Sequence, residues 1–329
     1  MELSGNLFLA PVAGYTDRAF RSICSELGAS FSFTELVSAE SLYRNFAKYG
    51  LDDKERAAKT SFNLVRRGEN EKKYAIQLFA GESESIYKAA SLLAPLKPDA
   101  LDINAGCPVP KVVKNGAGSA LMKNPAKLGQ AVEAAARASR EFLGDIPVTI
   151  KIRSGWDSVS INYAQCARIA ADAGAAMVSL HPRTRSQGYS GKSEWNHIAD
   201  LAARLSVPVA GSGDLYAPED ALKMLSETGC AAVMFARGAM GNPFIFPETK
   251  ALLETGARDQ RETIPRRLAV VMRHLQMLSC DIGERTACLE MRKQFCAYTK
   301  GFSGGAALRE KAVRAQTIEE YKKIIDEYL

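Results

Sequence analysis

No stretch of the chain approaches the ~20 consecutive apolar residues that a membrane-spanning helix needs, so no membrane partner is expected. The start, "MELSGNLFLAPVAG", has no basic region ahead of its apolar run and already reads as strand and turn, so a secretory leader is not expected either. No pair of the seven cysteines has CxxC spacing. Their odd number and scatter argue for reduced thiols in a cytoplasm rather than a disulfide framework. Cys280, Cys288 and Cys296 recur every eight residues, which one helix face explains at least as well as a metal, and no metal is expected. There is no GxGxxG after an early strand, since "GAGSAL" lacks the third glycine; this disfavours a doubly wound dinucleotide fold.

What is present is core-forming material: 47% hydrophobic and 24% charged residues in 329, enough for one large α/β domain and a smaller appendage. The net charge of +6 is compatible with a polyanionic partner without requiring one. Eight apolar, β-rich runs fall at 6–11, 30–36, 75–79, 100–104, 147–152, 176–181, 207–211 and 231–236, with amphipathic helical stretches between them. Near-continuous apolar strands alternating with helices predict a parallel sheet covered by helices, and eight such units predict an α/β fold of the (β/α)8 TIM-barrel type.

In such a barrel, chemistry gathers where the strands end. The run ends here carry Pro11-Val12-Ala13, Glu35, Gln77, Asn104 with Cys107, Lys151 with Arg153, His181 with Arg183, Ser212-Gly213-Asp214, and Ala236-Arg237. Taken singly, Gln77 also reads as a loop tie, Lys151 as a solvated charge and His181 as a structural imidazole. Polar groups at almost every strand end, all on one rim, indicate a site. The small residues after the last two strands, with Arg237, suit a phosphate held by backbone N–H groups and a guanidinium. Tight packing of loop on helix is the other reading of those glycines.

After about residue 248 the strand pattern stops. "IPRRLAVVMRHLQMLSC", "ERTACLEMRKQFCAYTKG" and "QTIEEYKKIIDEYL" read as amphipathic helices, so the expected division is a barrel over 1–248 and a helical bundle over 249–329. Residues 291–314 hold six basic side chains against one acid, interleaved with Phe295, Tyr298 and Phe302. That composition suits RNA; a solvated helix face over core aromatics fits it equally.

The stretches "APVAGYTDRAFR", "FTELVSAE", "AIQLFAG", "LDINAGCPVPKVVKNGAGSALMKNP", "VTIKIRSGW", "LHPRTRSQGYSG", "GSGDL" and "RGAMGNPFIF" run in order from residue 10 to 246. In them the chain resembles the tRNA-dihydrouridine synthases of bacterial type, FMN-dependent barrel enzymes that reduce uridine in tRNA. The chain departs from the family pattern at Val12 and Ala105 for methionine, Pro182 and Ala236 for glycine, and Ser212 for asparagine. The resemblance implies Pro11, Val12 and Ala13 beneath the flavin, Gln77 and Lys151 at the isoalloxazine edge with His181 nearby, and Ser212, Gly213, Asp214, Ala236 and Arg237 around the FMN phosphate. It makes Cys107, Lys151 and His181 the catalytic set, with Asn104 holding flavin or uracil. Arg183, Lys111, Arg292, Lys293 and Lys300 are the expected RNA contacts, and a monomer is expected.

Reduction across the 5,6 double bond of uracil needs a hydride at one carbon and a proton at the other. Reduced flavin supplies the first and a thiol, protonated at neutral pH, the second. Cys107 therefore reads as an acid, Lys151 as an electrostatic stabiliser of reduced flavin, and NADPH or NADH as a transient reductant over the same ring. The alternative enzyme is a small-molecule flavin reductase of the dihydropyrimidine or dihydroorotate type, which gives no reason for the basic helical tail.

Overall fold

The computed structural model describes residues 3–49, 62–258 and 263–329. Nine strands occur among them: β1 (Leu7–Leu9), β2 (Phe31–Phe33), β3 (Val37–Ser38), β4 (Tyr74–Phe79), β5 (Ala100–Ala105), β6 (Val148–Arg153), β7 (Met177–His181), β8 (Val209–Ser212) and β9 (Ala232–Phe235). All pairings between them are parallel. β1 pairs with both β2 and β9, and β2 pairs with β4, which closes eight strands into a barrel. β3 is a two-residue addition alongside the end of β4. The ends of the eight strands fall within three residues of those of the apolar runs, and the fold is the (β/α)8 barrel expected from them.

Successive strand residues face opposite sides, and here both sides are buried. Leu101 and Ile103, Ile150 and Ile152, Val178 and Leu180 face the helical layer. Phe8, Phe31, Phe33, Ala75, Ala100, Met177, Ala210, Ala232 and Met234 fill the interior. The three phenylalanines pack at centroid distances of 5.2–6.3 Å and close the lower barrel. Two of the helices between strands start on side-chain caps: Asp17 accepts from Phe20 N, and Asn124 from Lys127 N ahead of Pro125.

The expected boundary at 248 falls inside the helix Ile245–Thr255, so the barrel's last strand–helix unit runs to Thr255. The tail has four described helices, Ile264–Ile282, Glu284–Tyr298, Gly305–Arg314 and Ile318–Asp326. The third is not among those expected: "GAALREKAVR" is short and weakly patterned. The cysteine spacing also reads differently in three dimensions. Gly283, with φ +81°, separates two helices, so Cys280 lies on one and Cys288 and Cys296 on the next, and no single helix face carries all three. No described helix is long and apolar enough to cross a membrane.

The tail docks through a polar seam. Arg18 holds Asp281 in a two-pronged pair at 2.6 and 2.8 Å. Buried His274 bridges Asp17 (3.1 Å) and the Tyr298 hydroxyl (3.2 Å), and Gln294 donates to Tyr15 O and Asp17. Gly241, at φ +65°, lies so close to the Ala297–Tyr298 backbone that a Cβ would sit 2.3 Å from it. Phe295 and Tyr298 are core residues at 0% exposure, and Phe302 stacks on Tyr328. Of the two readings of the tail's aromatics, the packed one holds for Phe295 and Tyr298; they are not on offer to RNA.

Candidate active site

Steps of two from the barrel floor lead to polar groups near the strand ends. Ala75 is followed by Gln77, Ala100 by Asp102 and Asn104, Met177 by Ser179 and His181, and Ala210 by Ser212. On β6, Thr149 faces Asp102 and is followed by Lys151 and Arg153. The interior is therefore apolar below and polar above, a distribution that burial alone does not favour.

Above this layer lies a cavity of about 420 Å³ at the C-terminal ends of the strands, where barrel chemistry resides. Pro11, Val12 and Ala13 form one wall; Asn104, Cys107, Lys151 and His181 line the middle. Ser212, Gly213, Asp214, Ala236 and Arg237 line the remainder, so every expected cofactor residue except Gln77 borders one space. Tyr189 and Tyr216, 60% and 50% exposed, stand at the mouth with the Arg237 guanidinium 4.9 and 5.2 Å from their rings.

Lys151 makes no hydrogen bond or ion pair through its ammonium with another described residue. Burial, aided by Arg153, pulls it down to about 8 against the opposing influence of Asp102. Cys107 is half-buried; burial raises its thiol, while the Val109 amide and Arg153 pull the other way. Burial and then Lys151, Arg153, Arg183 and Arg237 hold His181 well below its ordinary value, so its imidazole is neutral, with Nε2 placed 3.2 Å from an Arg183 N–H.

Several expected roles change on this geometry. Gln77 is fully buried, its amide donating to Asp102 at 2.7 Å and accepting from Asn104 at 2.8 Å, so it lies beneath the cavity and does not line it. Asn104 spends its carbonyl on the N–H groups of Gly106 (3.2 Å) and Cys107 (2.9 Å). Glu35 turns away from the cavity and accepts from Gly14 N at 2.6 Å. Arg183, expected at RNA, is 2% exposed. It donates to Asp214, Ser193 Oγ and the carbonyls of Ser190 and Gly191, so no phosphate reaches it without breaking those bonds. Glycine at 213 and 238 is explained by packing: a Cβ would lie 2.2 Å from Ser193 Oγ at the first and 2.2 Å from Leu215 O at the second.

Two site residues escaped the sequence reading of roles. Asp102 sits at 0% exposure under Asn104, and Arg153 ties Gly106 O (2.8 Å) to the carbonyls of Thr184 and Gly188 (3.0 and 2.9 Å). Alternation signals the first, since Ala100, Asp102 and Asn104 share a face. Nothing local signals the second.

Of the expected RNA contacts, Lys111 is exposed on a short turn of helix beside Cys107 and Lys300 is exposed just past the end of Glu284–Tyr298. Lys293 pairs with Glu290 and lies over Gly14; Arg292 is half-buried with an Nε that has no partner among the described residues.

A closed parallel barrel with helices between its strands and a polar cavity over the strand ends defines the (β/α)8 class. Histamine dehydrogenase from Rhizobium sp. 4-9 has the same fold, with TM-score 0.55 at 14% identity over 84% of this chain and 49% of that one. An old yellow enzyme homologue from Zymomonas mobilis gives 0.51 at 11% over 78% and 90%. The family model described as Dihydrouridine synthase (Dus) matches residues 8–329, and the chain belongs to that family. It is 45% identical to a probable tRNA-dihydrouridine synthase of Treponema pallidum (strain Nichols), over 99% of this chain and 93% of the relative. To tRNA-dihydrouridine synthase B of Pseudomonas aeruginosa it is 33% identical over 95% and 90%.

Proposed function

We propose that the protein reduces uridine to 5,6-dihydrouridine in tRNA, with FMN held in the rim cavity, NADPH or NADH as reductant, and Cys107 as proton donor, acting as a monomer. The observation that carries the reading is a single rim cavity, in a chain of the dihydrouridine synthase family, that both Cys107 and Lys151 line.

The cavity residues fit the cofactor. Its 420 Å³ lies in the range of small-ligand sites; the wall of Pro11, Val12 and Ala13 suits a flat apolar ring, and Arg237 suits a phosphate. The amides of Tyr216 and Ala217 are already met by Asp220 at 2.8 Å, so phosphate binding falls to Arg237 and the 212–214 and 236–237 turns. Bound FMN supplies hydride chemistry at the base. Lys151, charged below pH about 8, places a cation where negative charge develops. His181, kept neutral, offers hydrogen bonding without a second positive charge. Cys107 holds a proton at Sγ for one carbon of the uracil double bond, with Pro108, Val109 and Val112 as an apolar border beside it. Lys111, Arg292, Lys293 and Lys300 contact RNA phosphates, with one carboxylate, Glu290, set against Lys293.

The test is incubation of the purified protein with FMN, NADPH and unmodified tRNA, followed by nucleoside mass spectrometry. Gain of two hydrogens on uridine supports the reading. Reduction of free uracil with tRNA left untouched overturns it in favour of a small-molecule reductase.

A further inference from the structure

We propose that Asp102 is a positioning residue for Cys107: its carboxylate sets which way the Gln77 and Asn104 amides face and, through them, holds the Cys107 backbone. The inference rests on the reading of Cys107 as the proton donor. Asp102 is paired in register with Gln77 on β4 and Thr149 on β6, at the centre of the barrel, with no exposure. An ionised carboxylate only accepts hydrogen bonds. Burial pushes this carboxyl up to about 6, against Thr149, Gln77 and Lys151, so it is ionised at neutral pH.

The consequences run in one direction. Thr149 Oγ1 donates to Oδ1, and Gln77 must therefore turn its Nε2 to Oδ2, at 2.7 Å. That leaves Gln77 Oε1 facing Asn104, whose Nδ2 donates to it at 2.8 Å. Asn104 is left with Oδ1 toward the turn, where it accepts from Gly106 N and Cys107 N. The two ends of an amide have nearly the same shape, so packing does not choose between them; the acceptor-only carboxylate does. Reversal of both amides would set an NH2 group against the N–H of Cys107 and release the turn. The same chain makes Asn104 a donor, never an acceptor, to whatever fills the cavity.

The experiment keeps shape and alters only the donor–acceptor pattern. Gln77→Met removes both links at similar length and volume. The exchange Asp102→Asn with Gln77→Glu moves the charge by one position. The new amide at position 102 donates to the new carboxylate at position 77, that carboxylate accepts from Asn104, and the sense at Cys107 is kept. The readout is the rate of iodoacetamide alkylation at Cys107, mapped by mass spectrometry on the purified protein without tRNA. Gln77→Met should alkylate roughly tenfold faster than wild type, the scale of one lost hydrogen bond, and the exchange should stay within about threefold of wild type. Wild-type alkylation in Gln77→Met, or an exchange variant as fast as Gln77→Met, overturns the proposal. Should Gln77→Met fail to fold, the exchange alone decides, by its rate against wild type. Because no turnover is measured, loss of the proton-donor reading would leave this result standing, and the reverse.

Discussion

Replacing Arg183 with methionine separates an internal pin from an RNA contact. The guanidinium is 2% exposed and bonds Asp214 at 2.7 and 2.9 Å, Ser193 Oγ at 3.0 Å and Gly191 O at 2.6 Å. Removing one partner of a buried pair costs ~3–5 kcal/mol. Asp214 retains the Arg237 guanidinium at 3.1 Å and the Ser193 amide at 2.9 Å, and its side chain is 27% exposed, so the lower end, about 3 kcal/mol, applies here. For a chain of this size 1 kcal/mol moves the melting temperature by about 2 °C, which gives a fall of roughly 6 °C. The assays are thermal unfolding and tRNA affinity across a salt series. An unchanged melting temperature, with the slope of log affinity on log salt flattened by ~0.7–0.9, would refute the pin and restore the phosphate contact.

Lys151 gives a pH signature. Its folded value of about 8 lies below the ordinary 10.5, so between those limits the unfolded chain binds a proton that the folded chain does not. Stability from this group therefore rises with pH across that window, and urea unfolding of wild type against Lys151→Met should show the wild type gaining there; a constant difference would contradict the burial of the ammonium. Neutralising Arg292, Lys293 and Lys300 together should weaken tRNA binding and flatten the salt slope by ~0.7–0.9 per lost phosphate contact, with the melting temperature little changed; wild-type binding at low and moderate salt would move the RNA site to the barrel loops. Gly213→Ala, forced to φ +109° with Ser193 Oγ 2.2 Å from the new carbon, should lose ~1–3 kcal/mol in the same unfolding assay, and a neutral outcome would show that the turn relaxes.

The barrel was legible because each strand is a nearly continuous apolar run, almost always ending in something polar, a pattern set by burial on both faces. The two-residue β3 and the helix Gly305–Arg314 are too short or too weakly patterned to stand out. The rim residues were legible as a set from their positions at strand ends, yet their partners were not. Gln77 looks like a ligand contact until Asp102, on the neighbouring strand, takes one end of its amide. Arg183 looks like a surface cation until Asp214, 31 positions later, meets it inside the loops. Sequence spacing within one strand gives a side chain's face; what that side chain touches depends on strands brought together only by the closed sheet.

The most direct measurement is the rate at which Cys107→Ala, supplied with FMN and NADPH, forms dihydrouridine in unmodified tRNA, relative to wild type. A thiol that holds the reacting proton requires a loss of ~100- to 10,000-fold with the melting temperature preserved. Dihydrouridine formed at the wild-type rate by that variant would contradict proton donation from Cys107.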